Sequence, residues 1–162
     1  MAIPSSVHKG WWNDRANGLL KAVYNGTTVL QLNATSLVSA FGFTSSHATT
    51  GIGYSTGAGG AVTQITNSAT AVTLDKVCGQ ITTVALTTAA AAEEAFVCNN
   101  TTVDANDVVV VSTTYAGAGK PIVFITDVGA GVFTVNITNV HAANALDAVL
   151  VINFAVIKSV AA

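Results

Sequence analysis

The residues of this chain that could carry chemistry are few and scattered. His8, His47 and His141 stand alone, with no second His, Cys or carboxylate at an interval that would gather ligands around one metal ion. Glu93 and Glu94 are adjacent, so a strand would send them to opposite faces and a helix would splay them by about 100°. Neither geometry makes a working acid and base. Gly57-Ala-Gly-Gly60 resembles a phosphate cradle in its glycines alone, because no Lys-Ser/Thr follows it and no strand-to-helix step surrounds it. Ser and Thr are plentiful, yet nothing marks an activated nucleophile with a base to serve it. The expectation is a chain with no catalytic residue, no metal site and no cofactor.

Cys78 and Cys98 form an even pair, but two cysteines in a chain of 162 residues do not make a disulfide scaffold. They read as two buried thiols acting as small hydrophobes, with a bridge as the alternative. The Asn-x-Ser/Thr sites follow from an Asn/Thr-rich composition, since no secretory signal precedes them. Synthesis in a cytoplasm is therefore expected.

One local feature points to binding. Val7-His-Lys-Gly-Trp-Trp-Asn-Asp-Arg15 holds both tryptophans, and large aromatics anchor interface centres while charges serve the rim. Lys9, Trp11, Trp12, Arg15 and Leu19 are the candidate partner interface of an N-terminal arm. Adjacent tryptophans on an extended segment point in opposite directions, so one ring can close onto its own domain while the other meets a partner.

Composition favours the same class of function. Charged residues make up 9% of the chain and hydrophobic ones 51%, whereas about a quarter of an ordinary soluble chain is charged. The polar surface must come from Thr, Ser, Asn and Gly, whose neutral groups lose less solvation on burial than carboxylates or ammonium groups do. Such a surface suits being covered. A net charge of -2 provides no field to draw nucleic acid. The closing apolar segment, residues 148–157, is about half the length of a spanning helix and contains Asn153, so no membrane anchor is expected.

The elements that must position these residues are strands. In Phe133-Thr-Val-Asn-Ile-Thr138 the apolar residues Phe133, Val135 and Ile137 share one face and polar residues the other. Residues 107–114, 122–126 and 149–157 are apolar on both faces, which predicts central strands covered twice. Residues 61–66, 71–74, 79–84 and 94–98 complete about eight strands, the pattern of an all-β antiparallel sandwich, jelly-roll-like, over residues 51–162. Residues 1–50 read as an extended arm and attachment segment, with a short helix over 16–22, a strand over 24–32 and a linker over 45–60.

Three segments carry a family resemblance. Gly51-Ile-Gly-Tyr-Ser-Thr-Gly-Ala-Gly-Gly-Ala-Val-Thr-Gln64, Thr73-Leu-Asp-Lys-Val-Cys-Gly-Gln-Ile81 and Ile152-Asn-Phe-Ala-Val-Ile-Lys158 resemble, in order, the recurring motifs of a β-sandwich module in tailed-bacteriophage virion proteins. The resemblance covers about residues 51–158. It implies a capsid cement or decoration protein, a head fibre or a tail-fibre tip, commonly a homotrimer. The leading expectation is a homotrimeric decoration protein on the capsid exterior, bound to the major capsid protein. The alternative is a fibre or receptor-binding tip that uses loops 99–107 and 115–121 on a host glycan.

Overall fold

The computed structural model describes residues 9–25, 27–32, 37–40, 52–55 and 57–161. The chain divides into two compact units, Met1–Gly53 and Tyr54–Ala162, and the regular structure among the described residues is entirely β-strand.

The first unit is a four-stranded antiparallel meander: β1 (Lys9–Asp14), β2 (Leu19–Tyr24), β3 (Thr27–Leu32) and β4 (Leu37–Ser39), paired in that order. This corrects two expectations, the extended arm and the helix over 16–22. Ala, Leu and Lys favour helix by only fractions of a kcal/mol each. Against that, Asn17 donates its backbone N–H to Asp14 O at 3.2 Å and closes a turn, which sends Leu19–Tyr24 back along β1. Strand β2 is then paired on both sides, by β1 and β3, so its backbone groups are satisfied without a helix. At the β2–β3 connection Asn25 takes φ 48°, a left-handed conformation that Asn tolerates better than most residues.

The second unit is a β-sandwich. Its strands are β5 (Gly59–Thr63), β6 (Val72–Thr73), β7 (Cys78–Thr82), β8 (Glu93–Asn99), β9 (Val108–Tyr115), β10 (Pro121–Gly129), β11 (Val132–Asn139) and β12 (Leu150–Ile157). One sheet has the order β5-β7-β12-β9 and the other β10-β11-β8-β6. All pairs are antiparallel except β5 with β7 and β6 with β8. The core lies between the sheets. Ile81, Val109, Leu150, Ile152, Phe154 and Val156 come from one side, and Val72, Phe96, Cys98, Phe133, Val135 and Ile137 from the other. The Phe133 and Phe154 rings meet across the middle at 5.3 Å, tilted by 55°.

The alternation of β11 is as the sequence predicts, with Phe133, Val135 and Ile137 buried. Strands β9 and β10 are not central, however. Each ends its sheet, and the outward residues Val108, Val110, Ile122 and Phe124 are exposed. Their apolar runs are covered on the core side only. The two cysteines also separate: both are free, Cys98 is buried in the core, and Cys78 is only half-buried. Burial pushes the Cys98 thiol up to about 12.

The motif residues prove to be fold-building. Gly60 and Gly79 are partners in the parallel β5–β7 pair, and a Cβ on either would meet the Leu74 side chain, at 2.9 Å and 2.7 Å. Residues 59–60 therefore belong to a strand rather than to a linker. Gln64 is buried and donates to Ser68 O at 3.1 Å and Thr70 O at 2.7 Å, which shapes the connection to β6. Tyr54 donates its hydroxyl to Val156 O and ties the start of the unit to β12.

Candidate interaction surface

Residues paired across antiparallel strands share a face, so the register of the meander assigns its side chains. Trp11 pairs with Ala22, and Ala22 with Leu30. Leu20 pairs with Leu32, and Leu32 with Leu37. Tyr24, two residues beyond Ala22, falls on the same side. This face exposes Trp11 at 62% and Tyr24 at 55%, together with Leu20, Leu32 and Leu37. An apolar patch with two large rings, spread over four strands, has the composition of an interface centre.

The other face of the meander is where its burial lies. Among the described residues of this unit only Asp14 and Val23 are buried. Asp14 Oδ2 accepts from Asn17 Nδ2 at 2.9 Å and from Lys21 Nζ at 3.2 Å, while Oδ1 has no hydrogen-bond partner. The Asn17 amide, with Lys21 beside it, holds this carboxyl below the usual range. The group works as a brace across the β1–β2 turn.

The five residues singled out from the sequence are not gathered on one surface. Trp11 is on the exposed apolar face, Arg15 is exposed in the β1–β2 turn, and Leu19, paired with Asp14, is half-buried on the opposite face. The side chains of Lys9 and Trp12 lie outside the described residues. Leu20, Tyr24, Leu32 and Leu37 are the members that sequence reasoning passed over. The alternation in Leu30-Gln-Leu32 was a signal for part of this set.

In the sandwich, the densest charged cluster joins the end of the chain to the loop before β9. Lys158 Nζ donates to Thr102 O at 3.0 Å and to Asp104 Oδ2 and Asp107 Oδ2, both at 2.6 Å. Ser159 N donates to Asp107 Oδ1 at 3.1 Å, and Asp104 N to Asp107 Oδ2 at 2.8 Å. Condensing this lysine with an aspartate would need a neutral amine and a protonated acid. The cluster favours the opposite forms: Asp104, then Asp107, raise Lys158, and Lys158 holds Asp107 low. The cluster is a clamp that ties Lys158 and Ser159 to the loop before β9.

A pH dependence follows from the clamp. The folded-state pKa of Asp107 is depressed, so its contribution to stability is present above the unfolded value, about 3.9, and is lost as pH falls through the folded value. Lys158→Met should therefore lower Tm more at pH 7 than at pH 3, as read by circular dichroism. An equal loss at both pH values would show that the pair does not act through charge.

Further polar groups hold the loops on either side of β9. Thr101 N donates to Asp75 Oδ1 at 2.7 Å and Asn100 Nδ2 to Lys76 O at 2.7 Å, which fixes the loop between β8 and β9. Ala118 N donates to Asp147 Oδ1 at 2.7 Å and Asp147 N to Tyr115 Oη at 2.8 Å, which fixes the loop between β9 and β10. These loops cap opposite ends of β9, eight residues long, and so stand about 25 Å apart. Among the described residues no three His, Cys, Asp or Glu side chains form a group able to hold a metal ion, and no helix is long and apolar enough to cross a membrane. His8 and His47 are outside the described residues. No family model, curated protein or solved structure matches the chain.

Proposed function

We propose that this chain is a structural virion protein, a decoration or cement protein that binds the outside of a tailed-phage head as a homotrimer and stabilises the shell. The observation that carries the reading is the separate meander, whose one face leaves Trp11, Leu20, Tyr24, Leu32 and Leu37 uncovered side by side. An apolar sheet face of this kind supports docking on a protein surface. The major capsid protein is the partner assigned to it, and the resemblance of residues 51–158 to phage virion modules supports that choice. In this reading the sandwich carries the assembly and the meander attaches it, with no catalytic step. Three modest attachments on one rigid trimer then reinforce one another wherever their spacing matches the shell.

The fibre-tip reading is less well supported. Loops 99–107 and 115–121 lie at opposite ends of β9, so they do not converge on one sugar-binding site. Copy number separates the two readings. Quantitative mass spectrometry of purified virions should find on the order of hundreds of copies per particle, as repeated binding on a symmetric shell requires. A dozen or fewer would exclude a decoration role.

A further inference from the structure

The sandwich places its charge unevenly. Seven acidic and three basic residues fall in this unit, yet no strand of the β5-β7-β12-β9 sheet contains a single charged residue. On its outer face Val108 pairs with Ile157, Val110 with Ala155 and Ser112 with Asn153. Val108, Val110 and Ile157 are exposed, at 50%, 45% and 54%. The short side chains of Ala155 and Ser112 beside them leave a shallow groove of about 230 Å³. Further along, Gln80 Nε2 donates to Asn153 Oδ1 at 3.1 Å, so this part is polar but neutral.

The outer face of the β10-β11-β8-β6 sheet differs. It also exposes apolar side chains, Ile122 and Phe124, but it carries Glu93 on β8 and Asp127 on β10.

We infer that the outer face of β5-β7-β12-β9 is the surface through which copies of this chain pack against one another. Rotational symmetry brings residues near the axis beside their own copies, so a charge there meets a like charge while a neutral residue meets none. Of the two sheet faces only this one satisfies that condition. A charged partner would find no complement on it, whereas a second copy supplies a matching neutral surface. The sequence of β9 points the same way. Val108-Val-Val-Val111 is apolar on both faces, the pattern of a strand covered twice, and its own unit covers it once. The groove over Ala155 and Ser112 gives an opposing side chain a place to sit. The inference rests on the reading that the chain self-associates and adds where it does so.

Ser112→Lys tests it with little risk to the fold, because Ser112 is already exposed on an edge strand. Light scattering coupled to size-exclusion chromatography should give the mass of an oligomer for the unaltered protein and for Ile122→Lys on the other sheet. Ser112→Lys should fall to the monomer mass with its β-sheet circular dichroism retained. Cys78, at an outward position of this sheet, provides a second readout, since Cys98 is buried. Maleimide labelling of native protein should be at least about tenfold faster in Ser112→Lys, the ratio expected when packing no longer shields the thiol. An unaltered protein of monomer mass, a Ser112→Lys oligomer, or dissociation by Ile122→Lys in its place would each overturn the inference. The virion reading fails separately: an oligomer built on this face but absent from virions would end that reading and leave this one standing.

Discussion

Asn139→Ala is expected to lower the free energy of unfolding by about 3–5 kcal/mol, because it removes a hydrogen bond from five backbone groups at once and leaves three of them without a partner. Asn139 is fully buried at the end of β11. Its Nδ2 is shared among Thr88 O at 3.1 Å, Ala89 O at 3.1 Å and Asn144 O at 2.9 Å. Its Oδ1 accepts from Lys120 N at 3.1 Å and His141 N at 3.1 Å. One amide thus ties together the three connections at this end of the sandwich: β7 to β8, β9 to β10 and β11 to β12. A methyl group can replace none of these bonds. Thr88 O and Ala89 O keep the backbone donors Leu146 N and Ala92 N, and water entering the space would recover part of the rest, which keeps the expected cost below the sum for the three orphaned groups, Asn144 O, Lys120 N and His141 N, at about 1–3 kcal/mol each. Asn139→Asp should be at least as damaging, since a carboxylate would face three carbonyl oxygens with nothing to donate. Urea unfolding followed by circular dichroism measures both variants. Asn136→Ala, three residues earlier on the opposite face of β11, is the control and should cost about 1 kcal/mol or less. Equal losses for Asn139→Ala and Asn136→Ala would refute the bridging role.

The eight sandwich strands were legible because they are written in local patterns. Phe133, Val135 and Ile137 alternate with polar neighbours, and alternation follows directly from strand geometry. What covers a strand is not written locally. The runs in β9 and β10 are apolar on both faces and predict central positions, yet both strands are edges with exposed outer faces, because a local run carries no record of which strands lie beside it. Residues 16–22 misled through propensity: Leu19-Leu-Lys-Ala22 suits a helix in isolation, and the Asp14–Asn17 turn with pairing on both sides outweighs it. The resemblance motifs were visible but carry little about binding, since Gly60, Gly79 and Gln64 build the sheet and a loop. Asn139 and the Lys158 clamp were invisible for a different reason. Lys158 and Asp107 are 51 residues apart in sequence, and only the fold brings them within 2.6 Å. The candidate surface fell between these cases, with Trp11 evident from its type and Tyr24 and Leu37 joined to it only by the register of the meander.

The largest functional effect is expected at that surface. Trp11→Ala should weaken attachment to shells by at least about thirtyfold, the hot-spot range for a large ring at an interface centre, and Trp11→Ala with Tyr24→Ala should abolish measurable decoration. Arg15→Ala should instead act mainly on the association rate and its salt dependence, because the Arg15 side chain is exposed in a turn at the rim. The sandwich should stay folded in each variant. Its core draws every buried apolar side chain from residues 72–156, and neither Trp11 nor Tyr24 is among them. Cosedimentation of purified protein with undecorated capsids over a range of concentrations gives the affinities, and circular dichroism gives the fold. Trp11→Ala binding as tightly as the unaltered chain would remove the meander face from the interface. Removal of residues 1–53 sharpens the test, since the remaining sandwich should fold and fail to coat shells. A truncated chain that still coated them would move attachment onto the sandwich, where the one uncharged sheet face would have to serve the shell and the sister copies at once.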